Sequence, residues 1–75
     1  MPEPPARLRK RYVNTVRATV LLRFEDGHEI RIPEGQGREF DCFAGESIAV
    51  VALWDPTSNE RELLERRKAE SFDDI

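Results

Sequence analysis

Apolar and polar side chains alternate with a period of two along much of this chain. Val16, Ala18, Val20, Leu22 and Phe24 interleave with Arg17, Thr19, Leu21 and Arg23, and after a short break His28, Ile30 and Ile32 interleave with Glu29 and Arg31. That period marks a strand with one covered face, so the two segments predict a hairpin joined through Asp26-Gly27. Register decides its form. A two-residue turn would set Phe24 opposite Glu29 and Leu22 opposite Arg31, mixing apolar and charged groups on one face. A three-residue loop, Glu25-Asp26-Gly27, pairs Phe24 with His28, Leu22 with Ile30 and Val20 with Ile32. It also puts Gly27 at the left-handed position of a G1 bulge, where a residue without Cβ fits at little cost. The second register is the one predicted.

Pro33, which cannot donate to a ladder, and the glycines of "PEGQG" close the second strand. Arg38 to Phe43 predicts a third strand, with Phe40 and Cys42 on one face. Ser47 to Trp54 predicts a fourth that is apolar on both sides: Ile48, Val50, Ala52 and Trp54 on one, Ala49, Val51 and Leu53 on the other. A strand of that kind has to be covered on both faces. "DPTSNERELLERRKAE" offers a cover as a helix over about residues 57–70. Asp55-Pro56 or a Thr57/Glu60 capping box would start it, and Arg61/Glu65, Glu62/Arg66 and Arg66/Glu70 sit at i,i+4 spacing. Its apolar stripe, Leu63, Leu64, Ala69 and Phe72, is too thin to shelter the whole strand.

The order β-β-β-β-α predicts a mainly β fold, a small antiparallel four-stranded sheet or an SH3-like barrel, with one C-terminal helix. Residues 1–11 read as a flexible, proline-rich and basic arm, with structure starting between Tyr12 and Val16. Residues 12–70 read as a single β-rich domain, and 71–75 as an acidic tail.

Composition narrows the function classes. At 75 residues the chain is near the size at which one core sustains a fold unaided, and proteins of this size often gain stability from an oligomer interface. Its single cysteine, Cys42, allows no internal disulfide and fits a reducing, cytoplasmic setting. The apolar run Ile48 to Trp54 is far short of the roughly 18 residues of a membrane span, and "MPEPPARLRKRY" lacks the apolar segment of a signal peptide, so no membrane association is expected. Charge is unevenly sorted: +5 over residues 1–24, −6 over 25–56 and −2 over 57–75, for a net −3.

Catalytic candidates are sparse. His28 is the only imidazole and sits at the hairpin end, where a turn role explains it; Cys42 packs inward with Phe40. One His and one Cys fall short of a structural zinc set, and Gly35 and Gly37 lack the lysine and helix of a phosphate loop. No catalytic residue, cofactor or metal is expected.

Two expectations remain. The first is a non-enzymatic protein-binding module, an adaptor, regulator or inhibitor such as phages and plasmids encode. It would act through an apolar sheet face at Ala49, Val51 and Leu53, with Leu63, Leu64 and Phe72 beside it, and would bind another protein or itself as a homodimer. The alternative is nucleic-acid binding by the basic arm and strand arginines: Arg7, Arg9, Lys10, Arg11, Arg17, Arg23 and Arg31. At the C-terminus, Phe72-Asp73-Asp74-Ile75 resembles the acidic tip of bacterial single-stranded-DNA-binding proteins, without the closing Pro-Phe pair. That resemblance implies a docking segment for other proteins.

Overall fold

The computed structural model describes residues 3–55 and 57–75. Among them the strands are β1 (Arg7–Val13), β2 (Thr19–Arg23), β3 (Glu29–Ile32), β4 (Gly37–Phe43), β5 (Ser47–Leu53), β6 (Glu62–Lys68) and β7 (Asp73–Asp74), with a 3-10 turn at Ala69–Ser71. They form two antiparallel sheets, one of three strands in the order β4-β1-β7 and one of four in the order β3-β2-β5-β6. The protein is all-β: the described residues contain neither an α-helix nor a closed barrel.

The β2–β3 hairpin takes the three-residue loop. Val20 faces Ile32 and Leu22 faces Ile30. The Phe24 amide donates to the His28 carbonyl at 3.0 Å, and Gly27 has φ +94, the left-handed conformation that the bulge requires. The inward side chains of this hairpin and of β5 meet those of β4 in one core between the sheets. Val20, Leu22, Ile32, Ile48 and Val50 from the larger sheet pack with Phe40 and Cys42 from the smaller, and Phe24, Ala69 and Phe72 complete the cluster. Phe40 stands edge-on to Phe24 and to Phe72, with ring centroids 5.6 and 5.2 Å apart. Each large aliphatic side chain closed off in this way stabilises the fold by about 1.5–3 kcal/mol relative to leaving it in water.

Two expectations about the chain ends are corrected. Arg7–Val13 is not a flexible arm but β1, paired along its whole length with β4. The C-terminal helix is absent. Glu62–Lys68 runs as β6 beside β5, with a bulge at Leu64 between the Val51–Leu63 and Val50–Glu65 pairs. The physical reason is backbone hydrogen bonding. A helix laid over apolar β5 would shut the amides and carbonyls of its open side away from water without pairing them, at roughly 1–3 kcal/mol for each group, whereas β6 pairs them. The i,i+4 ion pairs of the alternative helix offer only about 0.2–0.5 kcal/mol apiece. Asp55 does act as a cap, but of a turn: its carboxylate accepts bonds from the Thr57 amide at 2.9 Å and the Thr57 hydroxyl at 2.7 Å. The expected role of Pro56 in a first helical turn lies outside the described residues.

One buried polar residue that the sequence pattern did not flag ties the two sheets together. Asn14, at the end of β1, is fully buried, and its side-chain amide donates to the carbonyls of Ala18 and Ile32 at 2.8 and 2.9 Å. Its side-chain oxygen accepts from the Val16 amide at 2.8 Å, and its backbone bonds to Gln36 and Gly35. A buried amide with every group satisfied specifies one arrangement of the loops that it joins.

Candidate functional site

The basic segment is neutralised by the strand beside it. On the outer face of the smaller sheet, Arg9 stands opposite Asp41 and Arg11 opposite Glu39. Arg9 donates to Asp41 at 3.0 Å and Arg11 to Glu39 at 3.1 Å. Arg7 adds a longer bond to Asp41 and lies over the Phe43 ring, 5.5 Å from its centroid. These bonds, from Arg9 first for Asp41 and from Arg11 first for Glu39, hold both carboxyls below the usual carboxylate range. Lys10 points the other way. It is buried, and its ammonium bonds to Asp74 of β7 at 2.5 Å. Of the seven basic candidates, only Arg17 and Arg31 lack a salt bridge among the described residues.

The apolar outer face of the larger sheet is also closed. Leu21, Ala49 and Val51 form a second buried cluster, and Leu53 is buried beside it. Register sets Arg31 opposite Leu21, Arg23 and Arg66 on either side of Ala49, and Leu63 opposite Val51. Long side chains on the flanking strands can lay their aliphatic stems over such a strip while keeping their charges in water. Glu29, which shares this face because it pairs with Arg23, accepts bonds from Arg23 at 3.0 Å and from Arg61 at 2.9 Å. Arg61 immediately precedes β6, and Glu29 begins β3, at the opposite edge of the sheet. Their bond therefore passes over β2 and β5 and roofs the cluster. Burial alone would raise the Glu29 carboxyl, but the bonds from Arg23 and Arg61 outweigh it and leave it lowered. The expectation of an open docking face at Ala49, Val51 and Leu53 is corrected accordingly: Val51 is 4% exposed within a single chain.

Phe72 and the acidic tail are likewise engaged internally. Phe72 is buried, with the Arg67 guanidinium 4.3 Å above its ring and Tyr12 edge-on at 6.1 Å. Asp73 and Asp74 pair with Arg11 and Lys10 of β1. The segment expected to dock onto other proteins thus serves as a short strand of its own fold.

His28 and Cys42 line one groove of about 610 Å³ at the hairpin end, together with Phe24, Asp26, Phe43 and Glu46. Their chemistry is muted. The His28 ring stacks on Phe24, 4.2 Å between centroids, and its Nδ1 bonds to the Asp26 carboxylate. Asp26, lowered chiefly by the bond from the His28 amide, acts as the cap of the turn. Burial pushes the Cys42 thiol up and the nearby Glu46 carboxylate adds to this, the reverse of what a nucleophilic thiolate needs. Glu46 is itself committed, accepting the amides of Phe43 at 3.0 Å and Glu25 at 3.1 Å. No group of three or more metal-ligating side chains is found among the described residues.

Of the long edge strands, β3 and β6 in the larger sheet and β4 in the smaller, β6 is the one with no buried residue. β6 has a neighbour on one side only. All its residues except half-buried Arg67 are exposed, with Leu63 at 50% and Leu64 at 37%. Trp54, exposed next to it, donates its indole N–H to Glu62. Leu63 and Leu64 were read in the sequence as a helix stripe. "ELLERRK" lacks the period-two alternation that marked the other strands, so nothing in its local pattern signals a strand. In comparisons with protein-family models, curated proteins and solved structures, nothing matches this chain.

Proposed function

We propose that the protein is a non-enzymatic binding module whose contact surface is the β6 edge rather than the apolar face of the sheet. The observation that carries this reading is a seven-residue strand with an unpaired outer side and two exposed leucines near its start. An unpaired edge offers a row of backbone donors and acceptors to an extended segment of another chain, and side chains at alternate positions supply selectivity. The muted chemistry of His28 and Cys42 supports a binding role over a catalytic one. Nucleic-acid binding by Arg7, Arg9, Lys10 and Arg11 has less support, because releasing those side chains for phosphates would strand Asp41, Glu39 and Asp74.

A photo-crosslinking side chain placed at Leu64 in the full chain, expressed in its host, tests the reading. Protein adducts are expected from position 64 and not from an exposed control at Arg38 on β4. Adducts of equal yield from both positions, or none from 64, would overturn it.

A further inference from the structure

Building on the reading of β6 as a docking edge, we propose that its occupant is a second copy of this chain. The two β6 strands pair antiparallel about a two-fold axis, with Glu62 of each facing Arg67 of the other.

Charge order along the strand carries the argument. β6 begins acidic, with Glu62 and Glu65, and ends basic, with Arg66, Arg67 and Lys68. An edge of uniform sign would repel its own copy. A sorted one repels in parallel and attracts in antiparallel, where acids meet bases across the ladder. Arg66 and Lys68 have no salt bridge among the described residues, and the Glu65–Arg67 pair is loose at 3.7 Å. Glu62 accepts the Trp54 indole N–H and Arg67 donates to Ser71 above the Phe72 ring, so neither spends its charge on a close ion pair within the chain.

Face parity then selects the register. Glu62, Glu65 and Arg67 pair with Ala52, Val50 and Ile48 and share their face, whereas Leu63, Arg66 and Lys68 pair with Val51, Ala49 and Ser47 and share the other. Directly opposed residues in an antiparallel ladder lie on one face. Placing Glu62 opposite Arg67 satisfies that rule, since it also sets Leu63 opposite Arg66 and brings Leu64 and Glu65 together at the axis. The bulge at Leu64 is what makes the parities agree. The register that instead opposes Leu63 and Leu64 sets Glu62 against Glu65, like against like. The favoured pairing forms two identical Glu62–Arg67 contacts, sets Lys68 opposite Arg61, whose charge Glu29 already neutralises, joins two four-stranded sheets into one of eight, and moves Leu63 and Leu64 of both copies to its centre. This is the isologous, closed geometry of a C2 dimer.

Sedimentation equilibrium of the purified full chain, from micromolar to near-millimolar concentration, is the test. A mass approaching twice the 8.7 kDa of one chain is expected. E62R and R67E should each weaken association about tenfold or more by opposing like charges twice, and the E62R/R67E double variant should restore it. Because Arg67 also covers Phe72, R67E carries a folding risk, which a second measurement avoids. In a Cys42→Ala background, Leu64→Cys should form a disulfide dimer under mild oxidation far faster than Gln36→Cys on the β3–β4 turn. A single-chain mass at every concentration, no rescue in a folded double variant, or equal oxidation at the two sites would overturn the proposal. A chain that stays monomeric yet crosslinks to other proteins from position 64 would remove self-pairing and leave the docking edge standing. Failure of both would remove the two together.

Discussion

β5 and β6 are neighbouring strands of the same length, seven residues, and they have opposite fates. β5 is flanked by β2 and β6, packed by the core on one face and roofed by the Arg23–Glu29–Arg61 bonds on the other, so Ile48 to Leu53 are all buried. β6 shares β5's hydrogen-bond ladder but not its cover. The core does not extend beneath it: Arg67 lies over Phe72, but Glu62 and Glu65 are exposed although they share a face with the core residues Val50 and Ile48. The contrast teaches that being a strand and being buried are separate matters here. A backbone ladder recruits β6, and position within the sheet decides what water reaches.

The largest expected effect breaks the contrast at its centre. Ile48→Ala empties fully buried space and should cost about 2–5 kcal/mol in urea unfolding. Leu64→Ala on the exposed edge should stay within about 0.5 kcal/mol in dilute solution; similar losses at the two sites would erase the distinction. Next, Asn14→Ala leaves the Ala18 and Ile32 carbonyls and the Val16 amide without their partner, and should cost about 1–3 kcal/mol by the same assay. Retained stability would show that the loops supporting β2 and β3 do not depend on it.

A smaller effect is expected at the roof. Arg61→Ala removes a half-exposed ion pair, so stability should fall by less than about 1 kcal/mol. Fluorescence of an apolar dye should nonetheless rise as Leu21, Ala49 and Val51 become accessible. An unchanged dye signal would place their cover elsewhere.

The mildest test turns to β4, an edge strand like β6 but with partners on β1 for its charges. Asp41 and Glu39 are lowered in the folded chain, so their contribution is present above the unfolded carboxyl range, about pH 4, and is lost as pH falls through the lower folded values. Melting temperature should drop on acidification across that window. Asp41→Asn or high salt should flatten the response, and an unaltered slope in both would show that the ladder is not its source.

How far the sequence predicted each region follows from the range of the interactions involved. The β2–β3 register was readable because Gly27 and the alternation on either side lie within a dozen residues, and only one loop length keeps the faces sorted. The bases at 7–11 looked like a free arm because the acids of Arg7, Arg9 and Arg11 lie about thirty residues away at 39–41 and that of Lys10 farther still, at Asp74, and nothing local specifies those antiparallel partners. β6 was misread for a similar reason: its i,i+4 charges are a local helix signal, whereas the stronger demand comes from the open side of β5. Of the residues proposed for protein binding, Leu63 and Leu64 are exposed, while Ala49, Val51, Leu53 and Phe72 are buried. The sequence revealed how apolar residues 47–53 are but not that Arg23 and Arg66 flank them in register and that Arg61 reaches Glu29 across the sheet. Asn14 did leave a trace, a lone Asx residue where the first strand breaks off, the setting in which its side chain captures nearby backbone groups.

Amide exchange of residues 47–53 and 62–68 in dilute solution tests the central contrast most directly. Every β5 amide should be slowed. Along β6, amides that donate to β5 should be slow and those facing the open side should exchange near the unprotected rate, gaining protection as concentration rises. Uniform protection of 62–68 in dilute solution, or β5 exchanging as fast as β6, would contradict this account of the molecule.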